Sequence, residues 1–193
     1  MLSILFKAKR RLGILARRVT IAYRLYEYKI LYKQRFKVAG SLHVGDGFKI
    51  FFDDSNSGIE IAENVLFRNY AELRTGTNGK LVIGHDNFFN NHCSIQCFCE
   101  IRIGNNCQFG EAVRIYDMNH NYREPGKLIS EQGYRAGKII IGNNCWFGSN
   151  VTILKNVTIG DNVVIGANCL VHQSVPSNSL VYQGQSLIIR PIN

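Results

Sequence analysis

One stretch of the chain gathers the residue types that proton transfer requires. From Tyr116 to Lys138 it reads YDMNHNYREPGKLISEQGYRAGK, with His120 set among Asp117, Asn119 and Asn121. An ordinary imidazole titrates near neutral pH, so a histidine in a polar loop can take a proton from a hydroxyl and later return it. A solvated loop histidine is the competing reading. Asp117 also has two readings. It orients the imidazole and stabilises its charged form, or it is a turn residue bonded to nearby backbone. A second stretch, WFGSN over Trp146 to Asn150, sets the only tryptophan beside Gly148 and Ser149. Small residues there allow a ligand to approach the backbone closely.

A loop can present a catalytic group only if rigid elements hold it. Here the elements are set by a period of six. Apolar residues recur at Ile61, Phe67, Leu73; Ile83, Phe89, Ile95; Ile103, Phe109, Ile115; Ile141, Phe147, Ile153; and Ile159, Ile165, Val171. Neither the 3.6-residue helix period nor the two-residue strand period gives six. Three sixes make a coil of three short strands, with each beat residue inward at a corner of a triangular prism. Gly, Asn and Asp follow the beats and tolerate the left-handed backbone that tight corners need. One coil cannot bury its own inward face, so coils stack around a continuous apolar core. Val44 and Ile50 begin an earlier, less regular coil.

Departures from the beat locate the loop. Ile83 to Ile103 runs two residues longer than one coil, and TGTNGK precedes Ile83 as a small turn insertion. Between Ile115 and Ile141 about twenty residues leave the prism, and His120 lies among them.

The six cysteines do not form a metal-binding or disulfide pattern. Cys93, Cys107, Cys145 and Cys169 stand four residues after a beat residue, a phase filled elsewhere by Val65, Ala71, Val113, Val151, Val157 and Val163. They read as small core residues. Cys97 and Cys99 fall outside that phase, and Cys-x-Cys is not a zinc spacing.

Charge is unevenly placed. Residues 1–37 carry eleven Lys or Arg against Glu27 alone, whereas the remainder is near neutral. Leu5, Leu12, Leu15, Val19, Ala22, Tyr26 and Ile30 recur at helical spacing between those cations over residues 2–37. Two readings stand for this basic amphipathic helix: contact with an anionic membrane surface, or packing on the prism or a sister subunit. No recognition motif accompanies the charge, so nucleic acid is not an expected partner. Lys7, Lys9, Arg10 and Arg11 interrupt the first apolar residues, which argues against a signal peptide. A cytoplasmic protein, peripheral at the inner membrane face if the helix binds lipid, is the expectation.

This pattern resembles the hexapeptide-repeat acyltransferases, which are left-handed parallel β-helices. The resemblance covers roughly residues 41–184. It implies an all-β solenoid of about five to six coils, with a helical segment over 1–40, an active-site loop over 116–138 and a tail over 185–193. DMNH resembles the Asp-x-Asn-His stretch of bacterial surface-polysaccharide O-acetyltransferases. The galactoside, maltose and xenobiotic enzymes also carry a catalytic histidine in an equivalent loop. By that resemblance His120 is the base and Asn90 meets the acceptor; Asp117 is the expected partner of the base in the first of its two readings, and Tyr116 and Asn119 are expected acceptor contacts. Asn90 also reads as a turn residue. WFGSN resembles the family's Trp-x-Gly-[Ala/Ser]-Asn, which implies acetyl-CoA contacts at Trp146, Gly148 and Ser149, repeated one coil later by Gly166 and Ala167. Val175-Pro176 and Arg190 match the family's C-terminal coil end, and Arg190 is a phosphate ligand by resemblance. His172, Gln173 and the 185–187 stretch depart from it, with loss of cations that would meet nucleotide phosphates.

The resemblance implies an acetyl-CoA-dependent O-acetyltransferase for a sugar of a bacterial capsule, O-antigen or related polysaccharide. It implies no metal and a homotrimer with active sites between subunits. An N-acetyltransferase for an amino sugar, and a non-catalytic scaffold recruited to membrane, are the alternatives. The γ-carbonic anhydrase type on this fold needs His-x4-His, but Ile115 and Pro125 stand five residues either side of His120.

Overall fold

The computed structural model describes residues 19–184. They form a parallel β-solenoid with three faces, each a single sheet of six or seven strands. The first sheet runs through Phe36–Val38, Gly58–Ile61, Lys80–Ile83, Glu100–Ile103, Ile139–Ile141 and Val157–Ile159. The second runs through Leu42–Val44, Val65–Phe67, Phe88–Phe89, Gln108–Phe109, Trp146–Phe147, Val164–Ile165 and Leu180–Val181. The third joins Lys49–Phe52, Glu72–Thr75, Ser94–Cys97, Arg114–Tyr116, Thr152–Leu154 and Leu170–Val171.

The six-residue beat sets the register. Ile61, Ile83, Ile103, Ile141 and Ile159 pair in one column, and all are buried. In the second sheet Phe67, Phe89, Phe109 and Phe147 form a stack of rings with centroids 4.3, 4.3 and 4.7 Å apart. Deleting one such ring leaves a cavity that its in-register neighbours cannot close, at a cost of about 3–5 kcal/mol. Corners between the first and second sheets place Asn64, Asp86, Asn106, Asn144, Asn162 and Asn178 at φ between 53° and 60°. Asn and Asp tolerate that left-handed backbone better than other residues with a Cβ, which accounts for their recurrence.

The cysteines in the small-residue phase are buried and reduced. Their thiols also serve the corners: Cys107 Sγ donates to the Gly142 carbonyl and Cys145 Sγ to that of Gly160, each at 3.2 Å. In the coil after Ile83 the same position holds Asn87, a buried amide that the apolar phase does not anticipate. Its Nδ2 donates to the carbonyls of Gly84 and Gly104, and its Oδ1 accepts from the Cys107 amide, all at 2.8 Å. Every polar atom of that side chain that faces the corner is therefore used.

The N-terminal boundary differs from the sequence expectation. The helix extends through residue 31 rather than 37, and Phe36–Val38 already pairs in register with Ile59–Ile61. Phe36 is buried beneath the helix while Lys37 points outward to Glu60, a strand alternation that ends the helical pattern. The helix closes the open end of the prism. Leu25, Tyr28 and Tyr32 pack on the core, Tyr32 lies 4.5 Å from Phe52, and the Tyr28 hydroxyl accepts from the Ile50 amide. Its opposite face leaves Val19, Tyr23, Tyr26 and Ile30 exposed at spacings of four, three and four. Among the described residues no helix is long and apolar enough to cross a membrane.

Candidate active site

The excursion around His120 is an ordered hairpin. Met118–His120 pairs antiparallel with Tyr134–Ala136, which sets Asn119 opposite Arg135 and His120 opposite Tyr134. The far end is closed by Gln132, whose buried amide accepts from the Glu124 N–H and donates to the carbonyls of Glu124 and Lys127. The base is closed where the Gly137 amide donates to the Asp117 carbonyl at 2.7 Å.

Asp117 does not reach His120. Its carboxylate is fully buried and accepts the backbone N–H groups of Phe98 and Cys99, at 2.7 and 2.8 Å. Those residues are the two-residue lengthening of the coil between Ile83 and Ile103. Within the chain these are the contacts of the turn-residue reading, and none of the carboxylate's hydrogen bonds among the described residues goes to the imidazole. A tight insertion leaves amides without ladder partners, and this carboxylate meets them. Burial pushes the Asp117 carboxyl above the ordinary carboxylate range, opposed by the hydrogen bonds from Phe98 and Cys99. The arrangement positions His120 through an intermediate layer. Phe98, held by Asp117, lies 5.5 Å from Tyr134, and the Tyr134 ring lies 4.5 Å from the His120 ring.

His120 is exposed and lines two clefts. Strand alternation sorts their other residues. Met118, His120 and Tyr134 turn toward a cleft of about 550 Å³ that also contains Asp53, Arg74 and Gln96. Arg74 stands 3.5 Å from Asp53 and stacks over Phe51. Asp54 borders this cleft with its carboxylate already engaged by the amides of Asn56, Ser57 and Asn78. Asn119, Asn121 and Arg135 turn toward the second cleft, with His120 at its border.

The other expected site residues lie elsewhere on the prism. Tyr116 ends its strand between Gln96 and Leu154 and lines neither cleft. Asn90 also lines neither; its Oδ1 accepts from the Asn91 amide at 2.8 Å, a turn contact. Trp146 is 55% exposed on the outer face of the second sheet, between Gln108 and Val164. Gly148 is buried, and a Cβ there would lie 2.5 Å from the Ala167 nitrogen, so stacking of the next coil requires the glycine. Ser149 and Ala167 are exposed at the adjoining corner, and Gly166 is half-buried beside Tyr182. Neither of the two clefts that His120 lines contains any of these residues. Arg190 lies outside the described residues. Phe98, Tyr134, Gln132, Arg74, Arg123, Arg135 and Lys155 were not singled out by sequence reasoning; the lengthened coil was the one local signal, and it marks Phe98. No group of three or more His, Cys, Asp or Glu suited to a metal ion occurs among the described residues.

Residues 138–173 match the family model described as bacterial transferase hexapeptide, with six repeats. Over those residues the chain carries the hexapeptide repeat, and the solenoid is a left-handed parallel β-helix. Its fold is shared by solved hexapeptide-repeat acetyltransferases. One, from Vibrio cholerae O1 biovar eltor and complexed with acetyl coenzyme A, is 22% identical, with 87% of this chain and 78% of that one covered at a TM-score of 0.53. A maltose O-acetyltransferase from Clostridium difficile 630 is 24% identical, with 86% and 74% covered and a TM-score of 0.53. AntD, an N-acyltransferase from Bacillus cereus in complex with dTDP and coenzyme A as a Ser-to-Thr mutant, has a TM-score of 0.63 at 18% identity, with 81% and 83% covered.

Proposed function

We propose that the protein is an acetyl-CoA-dependent O-acetyltransferase acting on a sugar hydroxyl, with His120 as the general base. The observation that carries this reading is the placement of His120. It is the one histidine exposed on the ordered excursion, braced by Tyr134, and open to clefts on both sides. The hexapeptide repeat and the fold shared with acetyltransferases support the reaction class.

In the proposed reaction an unprotonated ring nitrogen of His120 takes the proton of the acceptor hydroxyl. The oxygen attacks the acetyl carbon of the thioester and forms a tetrahedral intermediate. Its collapse breaks the carbon–sulfur bond, and the imidazolium returns the proton to the departing thiolate. The cleft with Asp53, Arg74 and Gln96 presents carboxylate, guanidinium and amide groups, a set suited to a hydroxyl-rich ring. We assign the acceptor there, as a sugar of a bacterial surface polysaccharide.

The separation of Trp146 from His120 supports a homotrimer in which the Trp146 face of one subunit meets the His120 hairpin of the next. Leu66, Trp146 and Leu180 give that face an exposed apolar column. The exposed helix face of Val19, Tyr23, Tyr26 and Ile30, within a segment of strong positive charge, supports contact with an anionic lipid surface.

The test combines acetyl-CoA with a panel of sugar acceptors, with acetylated product read by mass spectrometry. Replacement of His120 by Ala lowers turnover by roughly 10²–10⁴-fold and leaves acetyl-CoA affinity within about twofold. An unaffected rate in His120→Ala rejects the assignment. Product acetylated only on amino sugars selects the N-acetyltransferase alternative.

A further inference from the structure

The cleft on the Asn119 and Arg135 face of the hairpin is strongly cationic. It has a volume of about 330 Å³ and is lined by Arg123, Arg135 and Lys155, with His120 at its border. Its one acidic residue, Glu124, is paired with Lys127 at 2.9 Å. No carboxylate among the described residues pairs with any of the three cations. They come from two parts of the fold. Arg123 and Arg135 belong to the hairpin, whereas Lys155 follows Thr152–Leu154 in the next coil. The buried Gln132 amide holds the hairpin's far end closed, so the arginines are carried on an ordered segment.

Three like charges in one concavity repel one another, and a multivalent anion relieves that repulsion. Guanidinium groups can grip phosphate oxygens in pairs, and lysine adds a compact charge. After Lys155 the sequence contains no Lys or Arg until Arg190, so the last coils bring no cation to a phosphate. We infer that the Arg123–Arg135–Lys155 cleft binds a phosphate or diphosphate group of a substrate whose reactive end lies at His120. This rests on the acetyl-transfer reading only for what happens at His120; anion binding itself needs no turnover. The phosphates belong either to coenzyme A or to an acceptor that carries a diphosphate.

Calorimetry on the full chain tests this directly with inorganic pyrophosphate. The wild type binds it, and a variant combining Arg123→Ala, Arg135→Ala and Lys155→Ala binds at least about tenfold more weakly. A variant combining Arg123→Lys and Arg135→Lys keeps the charge but loses the paired contacts, and falls between. Each variant is first checked for an unchanged thermal transition. Titrations with coenzyme A, dephospho-coenzyme A and uridine diphosphate identify the source. A triple-variant defect confined to coenzyme A assigns the donor, its 3′-phosphate in particular if dephospho-coenzyme A is spared. A defect confined to uridine diphosphate assigns the acceptor. Pyrophosphate binding that is absent in the wild type, or equal in the folded triple variant, overturns the inference. Failure of the acetyl-transfer reading would appear separately, as turnover indifferent to His120→Ala.

Discussion

Replacement of Asp117 by Ala separates two roles for a carboxylate near His120, the proposed general base. In the structure Asp117 serves the backbone, accepting the amides of Phe98 and Cys99 while its own carbonyl accepts from Gly137. Truncation leaves one buried donor (Phe98) and one half-buried donor (Cys99) without partners, each worth about 1–3 kcal/mol at most. Against this stands the relief of a buried charge, which burial already disfavours. The balance is a loss of roughly 2–4 kcal/mol at neutral pH. For a chain of this length that lowers the melting temperature by about 4–16 °C. The pH dependence has a definite sign. The native carboxyl titrates above its unfolded value, so the native state holds the proton more tightly. Its contribution to stability is therefore full below the ordinary carboxylate range and declines as pH rises through the native value. The gap between wild type and Asp117→Ala is widest in acid and narrows toward neutrality. Differential scanning calorimetry from acid to neutral pH measures the gap, and amide exchange at Phe98 and Cys99 reports the lost partners. A variant with an unchanged melting temperature and unchanged exchange, but turnover reduced more than about 100-fold, would refute the reasoning. Asp117 would then act on the imidazole.

Two further outcomes follow from the same geometry. Asn87→Ala removes three hydrogen bonds at a buried corner and lowers stability by about 2–4 kcal/mol, measured by urea denaturation; a change under about 0.5 kcal/mol would mean that the corner groups find other partners. A variant combining Tyr23→Ala and Tyr26→Ala loses roughly tenfold in affinity for vesicles containing phosphatidylglycerol, by co-sedimentation, while its melting temperature holds. Equal binding by wild type and variant would remove the lipid surface as partner of that face.

The period of six was legible because a solenoid repeats one local rule. Each beat residue meets its counterpart one coil away, so Ile83 or Phe109 announces its partner without knowledge of long-range contacts. The corner asparagines were legible for the same reason, since a left-handed backbone selects few residue types. Asn87 was not, because its position reads as apolar and only the carbonyls of two stacked glycines explain an amide there. Charge and apolar spacing announced the helix, but not where it stops: Phe36 ends it by pairing with Ile59.

For the candidate site, the sequence by itself determined that His120 leaves the prism at a break in the beat, on a segment too long for a corner. Only the tertiary structure decided what surrounds it. Asp117 is three residues from His120 in the chain, yet its carboxylate is spent on an insertion in the preceding coil. Tyr134, fourteen residues away, is the neighbour that braces the imidazole. Arg123, Arg135 and Lys155 converge because a hairpin folds back over the next coil. The repeat encodes contacts between equivalent positions one coil apart. A hairpin inserted into it has no equivalent in other coils, so its contacts follow only from the folded path of the chain.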